Sequence, residues 1–187
     1  KDSFFVPHAP DVGLVLELWS NCRLPDRVIA LFRKIQQLQL HEQTKFAKLK
    51  PKAPMFRRVL NALAACGQAS EAEELLSEMQ NRFEMGDRVA EPTKFHYAEV
   101  LAAWANSNLP NRYIKCREIF DRASRAYQNG QESCQPDVAL YGAVFQASSR
   151  AGDVDAAEQL LQQMLADYQC GNYLAKPTTA VFNAVLL

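Results

Sequence analysis

Five prolines, Pro10, Pro51, Pro92, Pro136 and Pro177, form an almost even ladder along the chain. Its step is about 41 residues, widening slightly between Pro92 and Pro136, a period within the range of stacked helix-pair repeats. Self-similarity of this kind is the mark of supersecondary units each too small to bury its own apolar face. After each proline comes a short polar or cationic residue, Asp11, Lys52, Thr93, Asp137 or Thr178. An apolar run of helical period follows. The Asp and Thr members suit helix N-caps, whose side-chain oxygens accept from the free N–H groups of a first turn. The prolines stand just outside, where a missing N–H costs nothing.

The second half of each unit repeats too. Ala72, Leu75, Leu76 and Met79 recur two units further on as Ala157, Leu160, Leu161 and Met164. Looser copies are Val28, Leu31, Phe32, Ile35 and Cys116, Ile119, Phe120, Ala123. The spacing i, i+3, i+4, i+7 sets all four on one helical face. Gly67 and Gly152, each at the same distance after its proline, suit the left-handed residue that ends a first helix. Ser70 with Glu73 reads as a capping box for the following helix, and Pro25 and Pro110 read as first-turn prolines. The extra residues of the widest step fall in the turn Asn106 to Pro110. No alternating strand pattern is present.

The expected fold class is therefore all-α, a right-handed α-solenoid of stacked antiparallel helix pairs. The units are 11–51, 52–92, 93–136 and 137–177. Residues 1–10 read as the tail of a preceding repeat or a linker, and 178–187 as the start of a further repeat. The chain is read as a segment of a longer array.

Composition narrows the chemistry. Lys plus Arg and Asp plus Glu both total 21, so the net charge is zero, whereas proteins that grip nucleic acid by its backbone usually carry a basic excess. The charge is uneven, +3, −2, +2 and −3 over the four units in turn. The densest basic stretch is Lys45, Lys48, Lys50, Lys52, Arg57 and Arg58, at the junction of the first two. Such a stretch could meet phosphates or an acidic protein, or simply be a solvated face. Glu71, Glu73, Glu74 and Glu78 read as an outward, solubilising row. The five cysteines show no C-x-x-C spacing, and four of them sit in or beside predicted helices, which suits buried reduced thiols in an intracellular compartment. The three histidines lie apart from any cysteine pair, so no metal site is expected. No apolar run approaches the roughly 20 residues of a membrane span. No phosphate loop, nucleophile elbow or Ser/His/Asp order can be assembled, and neither an enzyme activity nor a cofactor is expected.

The stretch Val138–Gly152 with Asp153–Met164 resembles a pentatricopeptide repeat, as do Met55–Gly67 with Ser70–Met79 and the start Pro177–Leu187. The tetratricopeptide repeat, the nearest rival, expects a Trp and a Leu-Gly early in the first helix, and these are absent. The units here exceed the family's usual length of about 35 residues, with the surplus between second helix and next proline. The resemblance implies a groove of first helices that takes single-stranded RNA about one base per repeat, in a mitochondrion or chloroplast. It places the base-reading pairs at Leu16 with Lys52, Arg57 with Thr93, Ala98 with Asp137, and Gly142 with Thr178, with Asn183 opening a fifth. The flanking clamp positions hold Gly13, Pro54, Phe95, Ala139 and Ala180. Arg150 is the cation expected near a phosphate. The candidate RNA contacts are thus Arg57, Thr93, Phe95, Asp137, Arg150, Thr178 and Asn183. Leu16, Ala98 and Gly142 have no side-chain donor or acceptor, so base reading should be degenerate. Three functional readings follow: an organellar RNA-associated binding module, a protein scaffold within a larger assembly, and the substrate-binding arm of an RNA-processing enzyme.

Overall fold

The structure, a computed structural model, describes residues 9–41 and 50–186. These residues form antiparallel helix pairs. The first helices are α1 (Ala9–Asn21), α3 (Ala53–Cys66), α5 (Lys94–Asn106), α7 (Val138–Ala151) and α9 (Thr179–Leu186); the second are α2 (Pro25–His41), α4 (Ala69–Glu84), α6 (Arg112–Gln128) and α8 (Val154–Gln169). The fold is an all-α solenoid, as the ladder predicts.

Four of the prolines lie two residues before their helix, while Pro10 falls inside the first turn of α1, so Asp11 is a first-turn residue rather than a cap. Asp137 caps α7, its carboxylate accepting from the N–H groups of Ala139 and Leu140. Thr93 caps α5 in a capping box whose reciprocal partner is His96. Lys52 holds the equivalent backbone position of α3 without a side-chain bond. Pro25 opens α2 as expected. Two expectations fail. Pro110 stands ahead of Asn111, which takes the cap position of α6 without a side-chain bond, and Ser70 with Glu73 makes no capping box, because α4 starts at Ala69 under Gln68. Glu73 is drawn away by cations on the next pair.

Gly67 and Gly152 both end their helices in the left-handed region, at φ 67° and 70°. Their surroundings differ. A Cβ on Gly67 would meet the Asn106 carbonyl oxygen at 3.1 Å, whereas one on Gly152 meets nothing within 4 Å. Gly152→Ala should therefore cost about 1 kcal/mol for the backbone alone, and Gly67→Ala clearly more. Urea unfolding of the two variants checks this, and equal losses would contradict the packing argument.

The surplus residues of the second, third and fourth units are ordered. Helices α4, α6 and α8 each run about one turn past their Met or Ala landmark, reverse at Gly86, Gly130 or Gly171, all with positive φ, and enter a short 3-10 turn. These turns span Arg88–Ala90, Glu132–Cys134 and Tyr173–Ala175, and bury Ala90, Cys134 and Ala175. They stack along one edge. Arg82 donates to the Pro51 carbonyl at 3.1 Å, Ser133 to that of Pro92 at 3.4 Å, and Asn172 to that of Pro136 at 2.8 Å.

First helices pack along one another, α1 on α3, α3 on α5 and α5 on α7, while second helices pack on the first helices beside them and scarcely approach each other. Alanines at Ala62, Ala103, Ala105 and Ala147, all fully buried, let the first-helix backbones come close. The core runs continuously between the layers through Leu16, Phe56, Leu60, Leu76, Tyr97, Leu101, Phe120 and Tyr141. The outer row is bridged by long polar side chains. Arg33 pairs with Glu78 at 2.6 Å, Glu73 lies 3.6 Å from both Lys115 and Arg122, and Arg117 donates to Gln163 at 2.6 Å. Glu73 and Glu78 are thus ties between pairs, contrary to the solubilising reading, while Glu71 and Glu74 are exposed. The cysteine expectation holds for Cys116 and Cys134 only; Cys22, Cys66 and Cys170 are exposed free thiols. Burial pushes the Cys116 thiol up to about 12 and that of Cys134 to about 11.

Candidate nucleic-acid interface

The closer spacing of the first helices makes their layer the inner one, and an open groove of about 530 Å³ crosses α1, α3 and α5. On α3, Arg57 and Asn61 are one turn apart and face it; on α5, Phe95 and Glu99 do the same. The two stripes meet in rungs. The Arg57 guanidinium lies 4.6 Å from the Phe95 ring centroid, a cation–π contact. Asn61 donates from Nδ2 to Glu99 at 3.2 Å, and Ser20 donates to the other end of the Asn61 amide at 3.1 Å. Arg57 also stands 3.8 Å from Glu99, and Arg58 3.6 Å from Glu17. Burial raises the Glu99 carboxyl above its usual range, opposed by the Asn61 hydrogen bond and the Arg57 charge.

His96 closes the floor. It is buried, and its Nε2 lies 2.8 Å from the Ala53 carbonyl oxygen, which can only accept, so Nε2 carries the proton. Nδ1 then accepts from the Thr93 N–H at 3.1 Å, with the Thr93 hydroxyl at 2.9 Å. Burial is the main cause holding this imidazole below its ordinary pKa, opposed by the Ala53 bond and reinforced by Arg57. His96 thus makes a hydrogen bond between two repeats.

The sequence-predicted contacts fare unequally. Arg57 and Phe95 come together in the groove. Thr93 lines it, but its hydroxyl is engaged in the cap. Asp137 is spent on the α7 cap and a 2.8 Å pair with Lys94. Arg150 reaches back to donate to the Ala105 carbonyl at the end of α5, so it ties two pairs rather than standing free for a phosphate. Thr178 and Asn183 are exposed on or beside α9. Thr178, Gly142 and Arg150 line a second hollow of about 450 Å³, deepened because Gly142 has no side chain. Leu16 is fully buried, which removes it as a reader.

Three of the six cations in the basic stretch are paired. Lys50 pairs with Asp87 at 2.9 Å, and together with Arg82 it holds the Asp87 carboxyl below its usual range despite burial. Arg57 and Arg58 have the glutamates named above. Lys52 is exposed and forms no ion pair among the described residues; Lys45 and Lys48 lie outside them. Ser20, Asn61 and Glu99 were missed by sequence reasoning. The signal was the row Glu17, Arg58, Glu99, which keeps the step of the proline ladder and lies one residue beyond the expected reading position. Among the described residues no cluster of His, Cys, Asp or Glu could hold a metal ion, and no helix is long and apolar enough to cross a membrane.

A row of helix pairs with an open inner groove defines a helical-repeat protein. The pentatricopeptide repeat model matches residues 55–82 and 139–167, which are the two pairs α3–α4 and α7–α8. A chloroplastic pentatricopeptide repeat-containing protein of Arabidopsis thaliana is 31% identical over 147 residues, 79% of this chain. The matched region spans about a quarter of that relative's length, 26%. The chain belongs to the pentatricopeptide repeat family.

Proposed function

We infer that this chain is a non-catalytic binding module of an organellar protein, laying single-stranded RNA along the first-helix groove weakly and with little sequence preference. The observation that carries the reading is the Arg57–Phe95 rung in an open groove. It offers a stacking platform and a cation to any base, while Leu16, Ala98 and Gly142 leave most reading positions mute. The chloroplastic relative supports an organellar setting.

In a polarisation assay, the 187-residue chain should bind a labelled single-stranded RNA at about micromolar affinity near physiological salt, the range of sequence-independent contact. Arg57→Gln with Arg58→Gln should weaken binding and flatten its salt dependence by about 0.7 in slope for each phosphate no longer neutralised. An unchanged slope would place those cations off the RNA path.

The cancellation of Arg57 and Arg58 by Glu17 and Glu99 favours a second reading, a scaffold that docks protein within a larger organellar assembly. Nanomolar binding to one short RNA would eliminate it. A third reading, the substrate-binding arm of an RNA-processing enzyme, requires a catalytic domain outside these residues.

A further inference from the structure

The groove holds polar groups that the expected reading positions do not use, and their order is specific. Ser20 donates its hydroxyl proton to Asn61 Oδ1, which fixes the amide so that Nδ2 faces Glu99. One Nδ2 proton goes to Glu99 Oε2, and the other is left for the groove. The Glu99 carboxylate has acceptor sites beyond those used by Asn61 and the long contact from Arg57 at 3.8 Å. Across this edge the groove therefore offers one donor followed by two acceptors. Beside it, one helical turn away on both α3 and α5, stands the flat Arg57–Phe95 rung.

The geometry points to a guanine-selective subsite between α3 and α5, in which the base stacks on the Arg57–Phe95 rung and its Watson–Crick edge meets Asn61 and Glu99. Guanine presents O6, N1–H and N2–H, an acceptor followed by two donors, and so complements all three groups. Uracil opposes its O2 to the carboxylate. Cytosine and adenine oppose their exocyclic amines to the Asn61 N–H and a ring nitrogen to the carboxylate. Guanine alone meets the set without an unpaired or repelled group, and leaving a polar group unpaired is what makes hydrogen-bonding sites discriminate. A partly desolvated carboxylate, as Glu99 is, gains more from two N–H donors than a hydrated one. The selectivity acts at one position of an otherwise sequence-tolerant groove, and it rests on the reading of that groove as an RNA path.

The test compares labelled 12-mers (UUG)4, (UUA)4, (UUC)4 and U12 against the 187-residue chain. The G-containing strand should bind about tenfold tighter than the others, the usual discrimination of a two-point base contact. Inosine in place of guanosine, which lacks the N2 amine, should lose part of that advantage. Glu99→Gln should erase the preference, so that (UUG)4 binds no tighter than U12 to the same variant, with an unchanged thermal midpoint showing that the chain still folds. Equal binding of all four strands overturns the subsite while leaving the RNA groove intact. Binding of none overturns both. A guanosine preference that survives Glu99→Gln places the reader elsewhere and also overturns the subsite.

Discussion

Replacing Phe56 by alanine is expected to lower stability by about 3–5 kcal/mol, the usual cost of emptying a large buried aromatic position. Phe56 is fully buried on α3. Its ring meets that of Phe32 on α2 edge-on, with centroids 5.1 Å apart, and the Arg82 guanidinium of α4 lies 5.2 Å away. One side chain thus joins two successive pairs, and its loss removes dispersion contacts, a ring–ring contact and the interface between neighbours together. Stability in stacked repeats is carried by nearest-neighbour interfaces. The damage should therefore stay local. Urea unfolding should begin earlier, and hydrogen exchange should accelerate in α1 to α4 well before α7 and α8. A destabilisation under about 1 kcal/mol, the ordinary size of a point-mutation effect, or a uniform rise in exchange along the whole chain, would contradict this.

Substituting His96 has the second-largest expected effect. His96→Ala removes both ends of a buried bridge and leaves the Ala53 carbonyl and Thr93 N–H unsatisfied, at about 1–3 kcal/mol. His96→Gln restores an ordinary capping box but cannot also span to Ala53, so it should recover part of the loss. The bridge is also acid-sensitive. Its Nδ1 must accept, so the folded state holds the neutral imidazole, with a pKa lowered from 6.5. The unfolded chain therefore takes up this proton first as pH falls. The contribution is complete above about 6.5 and shrinks below it, and the wild type should lose more stability than His96→Ala between neutral pH and pH 5. Parallel stability curves for the two proteins would show that His96 does not titrate in this way.

The helix pairs were legible because repetition amplifies weak local signals. A single Ala-x-x-Leu-Leu-x-x-Met stripe is common, but two copies set two units apart, phased to a proline ladder, admit little besides a stacked array. The glycine ends at Gly67 and Gly152 were readable for the same reason. What escaped were choices settled by the neighbouring pair. Glu73 follows a serine at capping distance, yet turns to Lys115 and Arg122 once α6 packs alongside. Arg150 sits where a phosphate contact would be, yet a carbonyl at the end of α5 is nearer. Gly86, Gly130 and Gly171, each at one fixed distance before its proline, announced the ordered 3-10 edge and were readable in principle. In the groove, the reading and clamp positions implied by the resemblance found Arg57 and Phe95 but passed over Asn61 and Glu99, because their significance lies in facing each other across two helices.

The two layers differ in mechanical character. The inner row, backbone close against backbone and packed on alanine, behaves as a flange of nearly fixed length. The outer row is joined by extended ion pairs and amide bonds, individually weak and screened by salt. A strip that is stiff on one side and compliant on the other bends by stretching the compliant side. Salt that screens those outer ties should therefore loosen one side of the strip and shift the curvature with which the array meets an extended ligand.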